Sequence, residues 1–146
     1  MKKFGIVFIL MLSLISCSKE SNNEESKSTV VNDYYGKWTL IKMSGSFINS
    51  ETTGSKMEWQ ENYVFNTDGT FTKTRVRNNV TTTSIGTFVI TTIDDTSGFA
   101  LKHKESNSII GNCYGDLSEF LSVNEDSLLQ SSWQMCDGPG LIYKKA

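Results

Sequence analysis

Apolar and polar residues alternate along most of the chain in short runs rich in threonine and aromatic residues, and turn-forming residues separate these runs. No window shows the period of an amphipathic helix of any length. The pattern predicts strands at residues 37–44, 57–65, 70–77, 80–90, 99–104, 109–114, 117–123, 127–133 and 141–145. Consecutive antiparallel strands with short connections indicate an all-β, up-and-down meander, and a meander this long removes its edges by closing into a barrel.

One turn fixes the register of a predicted hairpin. Residues 66–70 suit a type I turn with a bulge at Gly69, which places Phe65 opposite Phe71. Because side chains alternate between the two faces of a strand, steps of two residues follow the same face. These steps give three further pairs: Tyr63 with Lys73, Glu61 with Arg75, and Trp59 with Arg77.

The aromatic face of this hairpin is expected to be the inner one, with rings near the turn and charges further along. In one interpretation Lys73, Arg75 and Arg77 line the mouth of a cavity and favour an anionic ligand. In the other, which we prefer because buried charge is costly, a bulge turns the charges outward or they form a solvated rim. His103 shares the parity of Phe99, so it is also expected to point inward, as a hydrogen-bonded core residue or a ligand contact.

The first residues have the features of an export signal. Lys2 and Lys3 precede an apolar run, residues 4–15, that is too short to span a bilayer and suits a signal peptide. The following Leu-Ile-Ser-Cys, ending at Cys17, resembles the lipobox of bacterial lipoproteins. That resemblance implies a signal peptide at residues 1–16, and a lipid on Cys17 that anchors the protein in the membrane.

The rest of the chain divides into a tether and one domain. Residues 17–33 are rich in Ser, Asn, Glu and Lys, which predicts a flexible tether, and residues 34–146 are long enough for one globular domain. Loss of residues 1–16 lowers the basic count from 14 to 12 against 16 acidic residues, so the net charge moves from −2 to −4. This charge argues against nucleic acid as a partner.

The remaining cysteines, Cys113 and Cys136, form an even pair in an oxidising compartment and are expected to be bridged. A zinc site lacks ligands, because His103 is the sole histidine. No other metal site and no cofactor is predicted. Signatures of hydrolases and metalloproteases, such as Gly-x-Ser-x-Gly and His-Glu-x-x-His, are missing from the sequence, so we do not expect an enzyme.

Two segments resemble a known family. The start of the first strand, Tyr-Gly-Lys-Trp at residues 35–38, resembles the Gly-x-Trp start of lipocalins. Residues 63–71, Tyr-Val-Phe-Asn-Thr-Asp-Gly-Thr-Phe, resemble a hairpin of the lipocalin-like domain of Bacteroidetes lipoproteins, and the late Cys-Asp-Gly at residues 136–138 fits the same group. The resemblance covers residues 35–145. It implies a lipocalin-like barrel of about eight strands in a lipoprotein of the outer membrane, facing the periplasm or the cell surface.

Two functions remain open. The leading hypothesis is a barrel that binds a small apolar or amphipathic molecule, including an anionic one. Its candidate contacts are Trp59, Glu61, Tyr63, Lys73, Arg75, Arg77 and His103. The alternative is a structural or protein-interaction lipoprotein of an envelope complex, with a filled barrel and an envelope protein as its partner. Cavity volume separates the two, since ligand pockets measure about 300–1,000 Å³.

Overall fold

The computed structural model describes residues 34–93 and 95–146. The predicted signal peptide, Cys17 and the tether lie outside the described residues. Nine strands are present in the described part: β1 Gly36–Ser44, β2 Thr52–Thr53, β3 Gln60–Phe65, β4 Thr70–Arg77, β5 Val80–Ile93, β6 Thr96–His103, β7 Ser118–Val123, β8 Leu129–Ser131 and β9 Gly140–Lys145. Two 3₁₀ turns, Gly54–Lys56 and Ser132–Cys136, accompany them.

The strands form a closed antiparallel barrel. From β3 to β9 each strand pairs with the next one along the chain, and β1 pairs with β3 on one side and β9 on the other. Eight strands thereby close the ring, and the two-residue β2 is an additional strand beside the second half of β1. This arrangement confirms the predicted all-β meander and its closure into a lipocalin-like barrel.

The barrel has two distinct ends. At the entry end the chain enters β1, and at the loop end the longer connections lie. The entry end comprises residues 34–36, residue 95 and the turns at residues 66–69 and 124–128. The loop end comprises residues 45–51, 78–79, 104–117 and 132–139.

Aromatic rings fill the barrel near the entry end. The ring centroid of Phe65 lies 4.5 Å from that of Phe99 and 4.8 Å from that of Phe88, within the range of favourable aromatic pairs. Trp38 is buried beneath them, and its indole N–H donates to the carbonyl of Tyr34 at 2.9 Å. The entry end is therefore packed with apolar side chains.

The prediction of a strand at residues 109–114 is wrong, because local side-chain bonds hold this segment as an irregular loop. The Asn112 amide donates to the Asp116 carbonyl at 2.7 Å and to the Ser118 carbonyl at 2.8 Å, and Gly115 has a φ of +68°. Asn and Asp side chains that bond nearby backbone compete with a sheet in this way.

Other predicted strands differ in length. The last part of the segment predicted at residues 127–133 is a 3₁₀ turn, because the Ser131 hydroxyl accepts from the Trp133 amide at 3.2 Å and caps the turn. The strand predicted at residues 57–65 begins at Gln60, whereas β5 extends to Ile93 and β6 begins at Thr96. The short β2 was not predicted.

Candidate functional site

The hairpin of β3 and β4 has the predicted register. The Asn66 amide donates to the Thr70 carbonyl at 2.9 Å, the Gly69 amide donates to the Asn66 carbonyl at 3.2 Å, and Gly69 has a φ of +80°. A positive φ at this position is what the bulged turn requires of glycine. The ladder then contains three of the predicted pairs: Phe65 with Phe71, Tyr63 with Lys73, and Glu61 with Arg75.

The charged side chains of this hairpin point into the barrel. Glu61, Lys73 and Arg75 expose only 2%, 1% and 6% of their surface. Our preferred interpretation, which placed them outward or in a solvated rim, is therefore wrong for these three residues. Arg77 differs, because its side chain is about half exposed and pairs with Glu58 at the surface.

Lys73 stands at the centre of a buried polar cluster. Its ammonium donates to Glu119 Oε1 at 2.6 Å and to the Ile109 carbonyl at 2.7 Å, and lies 3.5 Å from Glu61 Oε1. It also lies 5.0 Å from the ring centroid of Tyr63. One buried cation is thus shared between two buried carboxylates, which offsets part of the cost of removing all three charges from water.

Glu61 is the first of the two carboxylates in this cluster. The Arg75 guanidinium donates to Glu61 through Nε, and the Tyr143 hydroxyl donates to Glu61 Oε1 at 2.6 Å. Arg75 Nη2 also approaches the Ile109 carbonyl at 3.4 Å. Glu61 therefore has a donor on each of its two oxygens.

Glu119 is the second carboxylate and joins three further elements. It accepts from the Tyr63 hydroxyl at 2.8 Å and from the Gly111 amide, and its Oε2 lies 3.0 Å from His103 Nε2. His103 Nδ1 lies 2.7 Å from the Ser84 hydroxyl. His103 therefore points inward, as its parity predicted, and is hydrogen-bonded on both ring nitrogens.

The electrostatic setting keeps Glu119 ionised. Burial by itself would raise the pKa of its carboxyl, but the Lys73 ammonium and the bonds from His103 and Gly111 hold this pKa at about 2. Burial, together with the nearby carboxylates, raises the pKa of the Tyr63 and Tyr143 hydroxyls well above the usual value. Both tyrosines consequently act as hydrogen-bond donors to the carboxylates.

The loop of residues 104–117 closes the barrel over this cluster. Ile109 is buried, and its carbonyl is the one that Lys73 and Arg75 approach. Asn107 fastens the loop to the barrel wall by donating to the Thr83 carbonyl at 3.0 Å. The loop end is therefore plugged by main-chain and side-chain groups of the protein itself.

A disulfide ties this plug to the neighbouring loop. Cys113 and Cys136 are bonded, with their Cα atoms 5.4 Å apart, which confirms the predicted bridge. Gly111 and Gly138 both lie against the Trp133 ring, where an added Cβ would come within 2.7 Å and 2.4 Å of ring atoms. Residues 104–117 and 132–139 thus pack as one layer.

Trp59 lies just before β3 at the same end. The Arg75 guanidinium carbon is 4.2 Å from its ring centroid and that of Arg77 is 5.5 Å away, so the predicted contact between Trp59 and Arg77 is present. The indole Nε1 of Trp59 is buried and has no hydrogen-bond partner in the described residues. Arg75 and Arg77 also line a cavity of about 270 Å³, together with Asn78, Val80, Thr82, Ser108 and Ile109.

The hairpin thus brings four of the predicted site residues, Glu61, Tyr63, Lys73 and Arg75, together with His103 in one cluster. Trp59 packs against Arg75, and Arg77 remains at the rim. Prediction missed Ser84, Glu119 and Tyr143. Glu119 shares the parity of Leu121, and Tyr143 that of Leu141, so alternation alone could have placed both inside. Alternation does not show which residues lie across the barrel, so the partners of Glu119 and Tyr143 could not be predicted.

Larger cavities open on the outer surface. One of about 650 Å³ is lined by residues of β5 to β8 and by Gln134 and Met135, and one of about 530 Å³ lies over Gly86. The described residues contain no group of three or more His, Cys, Asp or Glu side chains arranged to hold a metal ion. They also contain no helix long and apolar enough to cross a membrane.

Comparison with known proteins finds no matching family model, no matching curated protein and no matching solved structure.

Proposed function

We propose that this chain is a lipid-anchored lipoprotein of the bacterial envelope, and that its filled barrel presents the loop end to another protein. The observation that carries the proposal is a concentration of exposed apolar side chains on that end. Phe47, Ile48, Tyr114 and Met135 expose 84–94% of their surface. Aromatic residues and methionine are enriched in protein–protein interfaces, where they act as anchors.

The loops that carry these side chains are neighbours. Phe47 and Gln134 line the same cavity of about 570 Å³, so residues 45–51 lie beside residues 132–139. The disulfide between Cys113 and Cys136 then joins the latter loop to the one that carries Tyr114. The exposed apolar groups therefore belong to adjoining loops, and Met135 also lines the cavity on the outer surface of β5 to β8.

This end lies far from the point at which the tether would join the domain. A lipid on Cys17 would connect to the domain at Tyr34, which lies at the entry end. Because the loops of residues 45–51, 104–117 and 132–139 lie at the opposite end, the anchor would leave them unobstructed. This arrangement suits contact with a soluble protein or with an exposed part of an envelope complex.

The interior favours this function over ligand transport. A small barrel is filled when its inward side chains meet at the centre, whereas a carrier leaves a cavity of about 300–1,000 Å³. In this chain the inward positions hold aromatic rings toward the entry end and the polar cluster toward the loop end. The plug formed by residues 104–117 covers the polar cluster.

Site-specific photo-crosslinking in the native bacterium tests the proposal. A photoreactive amino acid at Ile48 or Met135 should capture one and the same protein. The matched control is Ile85, which is exposed on the barrel wall. The double substitution F47S/I48S should abolish capture from position 135 without unfolding the protein. Equal capture from position 85, or no capture from either loop position, would contradict the proposal.

A second function, binding of a small anionic amphipathic molecule, is favoured because Arg75 and Arg77, whose guanidinium groups lie over the Trp59 ring, line a cavity of about 270 Å³. An apolar fluorescent probe with an anionic head should then bind and quench Trp59. Arg75→Ala should weaken this probe more than a neutral analogue, because only the anionic probe loses a charge-assisted contact. Stability must be measured in parallel, since the substitution leaves Glu61 short of a partner. If neither probe binds, this function is refuted.

A further inference from the structure

Strand β5 extends beyond the end of its neighbour β4, so its last residues have a strand on one side only. The β4–β5 ladder ends at Thr87, and one more bond joins the Phe88 amide to the Gly69 carbonyl at 2.8 Å. The β5–β6 ladder, by contrast, continues to Ile93. In the described part of the chain, residues 89–93 therefore form a free strand edge, here called the β5 edge.

The direction of the free main-chain groups follows from two neighbouring bonds. The Phe88 amide faces the β4 side, whereas the Ile85 carbonyl accepts from the Lys104 amide on the β6 side at 2.9 Å. Peptide groups alternate along a strand, so the amides and carbonyls of Ile90 and Thr92 face the open side. Within the described chain, no main-chain hydrogen bond reaches these groups from that side.

The β5 edge lacks the features that normally protect such edges. Natural edges carry lysine, proline, a bulge or a cover, and residues 87–93 contain no charged residue and no proline. The β5–β6 ladder is continuous there. Val89 and Ile93 are also exposed on the outer face, by 63% and 49%. Both the backbone and the side chains therefore suit the addition of another uncharged strand.

We propose that the β5 edge pairs, antiparallel, with the β5 edge of a second copy of this chain. The register that uses every free main-chain group of Ile90 and Thr92 places Thr91 opposite its own counterpart. Ile90 of each copy then lies opposite Thr92 of the other, and each such pair exchanges two hydrogen bonds. The same register places Val89 opposite Ile93 on the outer face, which forms a favourable β-branched pair.

A second copy suits the β5 edge because antiparallel pairing about a two-fold axis is self-complementary. Each copy supplies the donors and acceptors that the other lacks, and the symmetry closes after two chains. The uncharged run of residues 87–93 brings no like charges together at the pairing strands. The interface also lies at the entry end, so it leaves the loop end free and does not depend on the function proposed for that end.

Disulfide trapping tests the register directly. Thr91 would form a non-hydrogen-bonded pair with its counterpart, whose Cα atoms lie at about 4.5 Å, a separation that a disulfide spans. Full-length chain carrying T91C, with Cys17 replaced by Ser to remove the other unpaired thiol, should give a covalent dimer under mild oxidation. The control T83C lies on the outer face of the same strand, where it pairs with Thr74 of β4. Equal dimer yields from T91C and T83C, or no dimer from T91C, would overturn the proposal.

Sedimentation equilibrium tests the role of the main chain. Proline at position 92 removes an amide that faces the open edge and leaves the β5–β6 ladder intact. T92P should weaken dimerisation by at least about tenfold, because two symmetry-related hydrogen bonds are lost, while T92A should change it little. A wild-type protein that is monomeric at about 100 µM, or a T92P dimer as strong as that of T92A, would refute the pairing. If the wild-type protein is monomeric, the β5 edge would instead be free to pair with a strand of another protein.

Discussion

Replacement of Lys73 by methionine should strongly destabilise the barrel. Methionine has a similar volume, so the substitution removes the ammonium with little change in packing. It leaves Glu119 and Glu61 close together without their shared cation, and leaves the Ile109 carbonyl without its donor. Breaking a buried ion pair in this manner costs about 3–5 kcal/mol at neutral pH.

The pH dependence of this cost has a definite sign. In the wild type the folded-state pKa of Glu119 is about 2, below the unfolded value of about 4.3. A depressed pKa contributes stability above the unfolded pKa that is lost as the pH falls through the folded pKa. The wild type should therefore lose about 3 kcal/mol from this group between pH 5 and pH 2.

Lys73→Met weakens this pH dependence for Glu119. Burial still raises the pKa of Glu119 in the variant, whereas the lowering effect of the ammonium is lost, so the folded-state pKa rises above its wild-type value of about 2. The difference in unfolding free energy between wild type and variant should then shrink as the pH falls from 7 to 3. Urea unfolding, followed by tryptophan fluorescence at several pH values, measures this difference.

The control is Lys42→Met, which breaks an exposed pair with Glu51 at 2.8 Å. An exposed pair contributes about 0–1 kcal/mol, so this variant should remain close to the wild type at every pH. Equal losses for Lys73→Met and Lys42→Met at pH 7 would refute the argument. If the loss of unfolding free energy caused by Lys73→Met grows as the pH falls, the predicted direction of the pH dependence is refuted.

Three further predictions concern the anchor, the bridge and the barrel wall. Cys17→Ser should move the protein from the membrane to the soluble fraction, and retention after a carbonate wash would contradict lipid anchoring. Thiol labelling of the unreduced protein should find neither Cys113 nor Cys136 free, and replacing both by alanine should cost about 2–5 kcal/mol in urea unfolding. Gly86→Ala should cost about 1–3 kcal/mol, because its Cβ would meet the Lys102 carbonyl at 2.1 Å, whereas Gly45→Ala, with 3.6 Å of room, should change little; equal costs would contradict this.

Sequence patterns predicted the fold because they are local. Alternation of apolar and polar residues over a few positions predicts a strand. The bulged turn is predicted by Gly69, because its positive φ favours glycine. The register of one hairpin follows from that turn, and with it the pairs of Glu61 with Arg75 and Tyr63 with Lys73. These are all contacts between residues about 10 to 14 positions apart.

The interior of the cluster could not be predicted in the same way, because it depends on contacts across the barrel. Lys73 and Glu119 lie 46 residues apart, and Glu61 and Tyr143 lie 82 apart. Without these partners, charge on the inner face appeared too costly, and we expected it to turn outward. The misassigned strand at residues 109–114 has a related cause, since its carbonyl at Ile109 bonds to side chains in place of a neighbouring strand.

The polar cluster also explains why the loop of residues 104–117 has its irregular course. Two carboxylates and two cations inside a barrel need more hydrogen-bond donors and acceptors than the inward side chains alone supply. In a strand, the main-chain groups would instead be bonded to the neighbouring strands of the sheet. An irregular segment keeps the Ile109 carbonyl and the Gly111 amide free, and both are used by the cluster. The loop therefore depends on the charges as much as the charges depend on the loop. The same loop carries Tyr114 on its outer side. The buried cluster therefore holds in place the surface that we propose as the contact site.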